Sequence, residues 1–129
     1  MPTLYIAVYK PRYGNHFRWA LYLKSESPKV FEVIGEHPQF QRNVVEMNAE
    51  DIEGHVANVM VGEVNDGDVP ALESIVQGQN SDNDTVLWDC QDYVLEVMEN
   101  LAGEYVIDGD DECYAKGRRE AMMKYHGFM

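Results

Sequence analysis

Residues 85–101 read TVLWDCQDYVLEVMENL, and within them Cys90, Val94, Val97 and Leu101 recur at i, i+4, i+7 and i+11. That is the spacing of one apolar helix face. Asp89 is a residue type that caps helices by accepting a backbone N–H, so Cys90 falls at the first helical position. Upstream of this stretch the periodicity is different. TLYIAVYK (3–10) is β-branched and aromatic with no breaker, and HFRWALYLK (16–24) alternates, with Phe17, Trp19, Leu21 and Leu23 on one face. KVFEVIG, QRNVVEMN and GHVANVMVGEV continue as third, fourth and fifth strands, with PRYGN and SESP as turns between the first three. A strand-rich half followed by a helical half predicts an α+β fold. The expected sheet is antiparallel, with four or five strands over residues 3–64 packed on the Cys90 helix.

The remaining helices carry their own signals. DVPALESIVQG has Asp68 as an expected N-cap, Pro70 in the first turn and Gly78 past the end. A last helix is expected from about Asp110 to His126, with acids in its first turn, Lys124 and His126 in its last, and Gly127 beyond. No internal repeat, low-complexity tract or linker interrupts the 129 residues, so one domain, 1–129, is expected.

Charge excludes several function classes. Ten Lys and Arg stand against 23 Asp and Glu, a formal net charge of −13, and KGRR is the one small basic cluster. Nucleic-acid backbones and anionic membranes need clustered cations, so neither is an expected partner. No run approaches the roughly 18 apolar residues that span a bilayer. The first residues, MPTLYIAVYK, lack the pattern of a secretory signal, and two cysteines form no disulfide framework. A cytoplasmic protein acting on a small molecule is the expectation. No histidine or cysteine pair has metal-ligand spacing and no Gly-rich phosphate loop occurs, so no cofactor is expected.

Cys90 is the residue with most chemical potential. Orphan N–H groups and the positive end of the helix dipole favour a thiolate there, and N–H groups near Gln91 suit an oxyanion site. Asp89 and Asp92 oppose this by raising the thiol pKa. A plain buried residue on the apolar face is the competing reading. Cys113, among Asp110, Asp111 and Glu112, is a poor site for a thiolate. His37 and His55 read as loop and strand residues without a role.

The runs YKPRYGNHFRWALYL, KVFEVIG and WDCQDYV together resemble the circularly permuted papain-like proteins of the lecithin–retinol acyltransferase type. VMVGEVNDGDVPALESIVQ ahead of LWDCQDYVLEVMENL is similar to small uncharacterised fungal proteins of that apparent shape, and the likeness covers about residues 3–101. The resemblance implies a strand histidine, a second polar residue on the next strand and a cysteine opening a helix. Its first histidine position, before an aromatic–Ala pair, holds Arg18, its second falls at Glu32, and its cysteine is Cys90. A guanidinium stabilises a thiolate but cannot return a proton to a leaving group. His16 is the candidate acid/base, on Arg18's side of the strand but displaced by roughly 6–7 Å.

Three functions are therefore expected alternatives. The first is thiol-dependent acyl transfer or hydrolysis, with Cys90 as nucleophile, His16 as acid/base, and Arg18 and Glu32 stabilising charge. The second is non-covalent isomerisation or cyclisation, with Glu32 as base and Arg18 holding a carboxylate or enolate. The third is a catalytically inactive module that binds a ligand or protein.

Overall fold

The computed structural model describes residues 2–11, 17–35, 38–84 and 88–125, the last two through their backbone alone. Alternation in the first half becomes five strands: β1 (Thr3–Tyr9), β2 (Arg18–Lys24), β3 (Lys29–Ile34), β4 (Gln41–Val45) and β5 (His55–Glu63). They form one antiparallel open sheet in the order β4-β3-β2-β1-β5. The first four strands follow one another as a meander, and β5 returns to the free edge of β1. Three helices follow: α1 (Val69–Gly78), α2 (Cys90–Gly103) and α3 (Glu112–Tyr125). The α+β class and the strand count match the sequence expectation.

Period two sorts the strands into two buried faces. Leu4, Ile6, Val8, Trp19, Leu21, Leu23, Phe31 and Val33 pack in one core with Val94, Val97, Met98 and Leu101 of α2. On the other face Ala7, Tyr9, Ala20, Tyr22 and Val30 pack with Ala49, which lies in a 3-10 turn, Ala49–Asp51. Tyr22 ties that turn down, its hydroxyl donating to Asn48 Oδ1 at 2.8 Å. β1 and β2 are therefore covered on both sides, which is why nearly every residue of β2 is apolar rather than every second one.

Several helix boundaries differ from the sequence reading. Asp68 occupies the N-cap position of α1, but its side chain makes no capping bond. A 3-10 turn, Asp66–Asp68, holds it in a helical conformation, and its carboxylate accepts from Asn65 Nδ2 at 3.3 Å instead. Gly78 is the last residue of α1 rather than the one beyond it. α3 starts at Glu112: the Asp108 side chain accepts from Asp110 N in the preceding turn, and the Asp111 side chain accepts from Cys113 N in the first turn of the helix. His126 and Gly127 lie outside the described residues.

Gly117 lets α3 sit directly on β5. A Cβ at this position would fall inside contact distance of the Met60 carbonyl oxygen, with Val61 Cγ1 next at 3.0 Å. Gly→Ala in a helix ordinarily stabilises by about 1 kcal/mol. Here the steric term wins, since the obstacle is β5 backbone rather than a flexible side chain. Gly117→Ala is expected to destabilise the fold by about 1–3 kcal/mol, the usual cost of overpacking, as read from the midpoint of urea denaturation.

Candidate functional site at a fork in the sheet

β2 and β3 are paired only from Leu21↔Phe31 to Leu23↔Lys29. Beyond that, β2 stays with β1 back to Arg18↔Tyr9, and β3 stays with β4 out to Ile34↔Gln41. The sheet therefore forks, with residues 17–20 on one limb and 32–34 on the other. Phe17 and Trp19, two residues apart, direct backbone groups to the same edge of β2, where the ladder with β3 has ended.

The start of α2 fills the gap. Trp19 N–H donates to Cys90 Sγ at 3.4 Å, and Gln91 Nε2 donates to the Phe17 carbonyl at 2.9 Å. Gln91 is 1% exposed, a buried amide used as a substitute strand partner. Sequence reasoning credited this residue only with its backbone. Its side-chain role depends on a contact 74 positions away in the chain, for which no local pattern exists.

Local chemistry explains why α2 begins at this point. The Asp89 carboxylate accepts from Gln91 N at 2.9 Å and Asp92 N at 3.3 Å, and Asp92 Oδ2 accepts from Asp89 N at 3.0 Å. This is a reciprocal capping box, and losing such a cap typically costs about 1 kcal/mol. Asp89 thus caps as the sequence implies, and Asp92 acts as its partner rather than solely as a repelling charge. Trp88, just before the cap, packs edge-on to Phe40 and Tyr93, with ring centroids at 5.6 and 6.2 Å.

The thiol itself is electrostatically unfavourable as an anion. Burial pushes the Cys90 thiol up to about 11. The Trp19 N–H and the Arg18 charge work in the opposite direction, while Asp89 adds to the rise. Burial outweighs the helix N-terminus and Arg18 together, so the proton stays on sulfur at neutral pH. Burial raises Cys113 too, with Asp111 and Glu63 adding to it.

Arg18 and Glu32 lie on neighbouring strands and share the sheet face of Tyr9, Ala20 and Tyr22. The thiol approaches β2 from the helix face, at the backbone of Trp19. The common pocket expected from the sequence is thus a fork with chemistry on two faces: sulfur on one, the charged pair on the other. Each member of the charged pair is also held by a neutral group. Arg18 Nε donates to the Lys10 carbonyl at 3.0 Å, with its guanidinium 5.4 Å from the Tyr9 ring centroid, and Glu32 Oε2 accepts from Asn43 Nδ2 at 2.7 Å. His16, the expected acid/base, lies outside the described residues, as does His37.

Two residues passed over in the sequence complete this face. His55, Tyr9 and Arg18 are register partners across β5, β1 and β2, forming one polar row. The His55 ring meets Tyr9 edge-on at 5.7 Å, and its Nε2 is 2.8 Å from Asn58 Oδ1. Tyr9 is 2% exposed, yet among the described residues its hydroxyl has no hydrogen-bond partner. Burial, and then the Glu32 charge, hold the phenol well above its ordinary pKa, against Arg18, so it keeps its proton. A buried hydroxyl left unpaired costs about 1–3 kcal/mol, and unsatisfied groups of this kind concentrate at functional positions. The available signal was Tyr9's place at the end of a strand whose other face is purely aliphatic.

Among the described residues no three His, Cys, Asp or Glu side chains converge as a metal site, and no helix is long and apolar enough to cross a membrane. The raised thiol has a direct consequence for labelling. Iodoacetamide modification of Cys90 in the folded protein should be slow at pH 7 and climb only as pH approaches about 11, read by peptide mass spectrometry. Appreciable labelling below pH 7 would show a thiolate that the fold does stabilise. Comparison with protein-family models, curated proteins and solved structures gives no match to this chain.

Proposed function

We propose that the protein is a small cytoplasmic acid–base enzyme, an isomerase or cyclase of a carbonyl-bearing metabolite, working on the outer face of the forked sheet. One observation carries this reading. A buried, protonated and unpartnered Tyr9 hydroxyl sits within the electrostatic reach of both a carboxylate, Glu32, and a guanidinium, Arg18. A base, a fixed cation and a neutral donor are the groups that enolisation requires.

In this reading Glu32 takes a proton from the carbon next to the carbonyl. The C–H electron pair becomes the C=C bond of the enolate, and the carbonyl π pair moves to oxygen, where Arg18 and the Tyr9 hydroxyl stabilise it. Where the substrate carries a β,γ double bond, the enolate is a dienolate. The oxygen pair then re-forms the C=O, the α,β bond becomes the new C=C, and Glu32 returns the proton to the γ carbon, so the isomerisation balances with no co-reactant. Asn43 orients the Glu32 carboxylate, and Lys10 and the Tyr9 ring orient Arg18. Cys90 takes no covalent part, its sulfur serving as an acceptor for Trp19.

A second reading keeps Cys90 as a nucleophile for acyl transfer on a permuted papain-like scaffold. What favours it is the Trp19 N–H and Arg18 charge acting on the sulfur at a capped helix N-terminus. Variants separate the two. The assay is deuterium uptake from D2O into a panel of 2-oxo and 3-oxo acids, followed by proton NMR. Glu32→Gln should lower exchange by about 10²–10⁴-fold, the contribution of a positioned base. Tyr9→Phe should lower it by about 10²-fold, as for loss of one oxyanion donor, while leaving stability unchanged or higher because the orphan hydroxyl is gone. Cys90→Ser should retain it. Loss of activity in Cys90→Ser with retention in Glu32→Gln would establish the thiol reading instead. Inactivity of the unmodified protein against both this panel and acyl esters would leave the binding module.

A further inference from the structure

On the helix side of the edge strand β4 lies a groove of about 900 Å³, reached neither by Cys90 nor by the Tyr9 row. That volume falls within the range of small-molecule sites, roughly 300–1,000 Å³. Phe40 and Val44 form its β4 side, Val76 of α1 and Tyr93 of α2 its floor, and Arg42 and Asn80 its polar rim. The floor is dry, with Val76 and Tyr93 only 3% and 1% exposed.

Two polar groups come together in this groove. Tyr93 is almost wholly buried, and the Arg42 charge acts on its phenol. Arg42 is exposed, and among the described residues the ion pairs are Lys29–Glu73 and Arg118–Glu99. Three carboxylates on the elements around the groove are engaged elsewhere. Glu73 pairs with Lys29, Glu96 accepts from Trp88 Nε1, and Glu32 accepts from Asn43. In a chain of net charge −13, a guanidinium without a carboxylate partner beside an apolar floor is an anion site by exception.

We infer that this groove binds a small amphiphilic carboxylate, its apolar body lying on Phe40, Val44, Val76 and Tyr93 and its head group held by Arg42 and the Tyr93 hydroxyl. A carboxylate fits one planar guanidinium through two parallel N–H···O bonds and leaves a lone pair for the phenol O–H. The single cation and apolar floor disfavour a phosphate, which needs more donors. Apart from Asn43, which lines the groove and also bonds Glu32, this site uses different residues from the proposed acid–base chemistry and stands or falls separately from it.

The test is titration of the full chain with octanoate and decanoate by isothermal calorimetry, with amide chemical-shift mapping. Saturable binding is expected, with shifts centred on residues 40–44, 76–81 and 93. Arg42→Gln, an exposed substitution, should weaken it at least tenfold, Tyr93→Phe several-fold, and methyl octanoate should bind at least tenfold more weakly than octanoate. Absence of saturable binding at millimolar ligand would overturn the assignment. So would shifts confined to other residues, or equal affinity in Arg42→Gln.

Discussion

The structure depends on two side chains at the start of α2 taking the place of a strand. Where β3 leaves β2, two backbone groups of β2 lose a ladder partner, and Cys90 Sγ and Gln91 Nε2 supply the replacements. Each such bond contributes only about 0.5–1.5 kcal/mol net, but leaving the Phe17 carbonyl or Trp19 N–H buried and unpaired would cost about 1–3 kcal/mol apiece. The capping box at Asp89 and Asp92 fixes the helix start so that both side chains reach their targets. Without this hook β2 would lose these two partners on the side that β3 has left, while its pairing with β1 runs on to Arg18.

The same hook explains why the most conspicuous nucleophile is chemically quiet. A sulfur that accepts from a strand amide and packs against the core keeps its proton, because desolvation outweighs what one N–H and one nearby guanidinium return. The charged and polar side chains lie on the opposite face. There a phenol remains without a partner, and a carboxylate and a guanidinium are each held in place by neutral groups. Thiol and polar row thus lie on opposite faces of one strand pair, separated by the alternation of β2.

Much of this architecture is legible in the sequence. Alternation around Trp19, Leu21 and Leu23 gives the core face of β2, and the spacing from Cys90 to Leu101 with Asp89 before it gives α2 and its cap. These succeed because a strand's period and a helix's cap are local. The fork is not local. It arises where pairing ends, and its closing bonds join residues 71 and 74 positions apart. Asp68 misled because its residue type fits an N-cap while the preceding 3-10 turn gives it helical torsions, which leave a side chain unable to cap. Within TLYIAVYK, Tyr9 is one aromatic strand residue among others. Only the register with His55 and Arg18 reveals it as the centre of a polar row.

Amide hydrogen exchange at Trp19 tests most directly whether the thiol closes the fork. If Cys90 Sγ serves as the substitute strand partner, the Trp19 N–H should be protected to nearly the same opening free energy as Leu21 inside the ladder. Cys90→Ala should then abolish that protection selectively, leaving Leu21 and Leu23 slow. Rapid exchange at Trp19 in the unmodified protein, as at a frayed strand end, would contradict a fork held by the thiol. So would protection that is indifferent to loss of the sulfur.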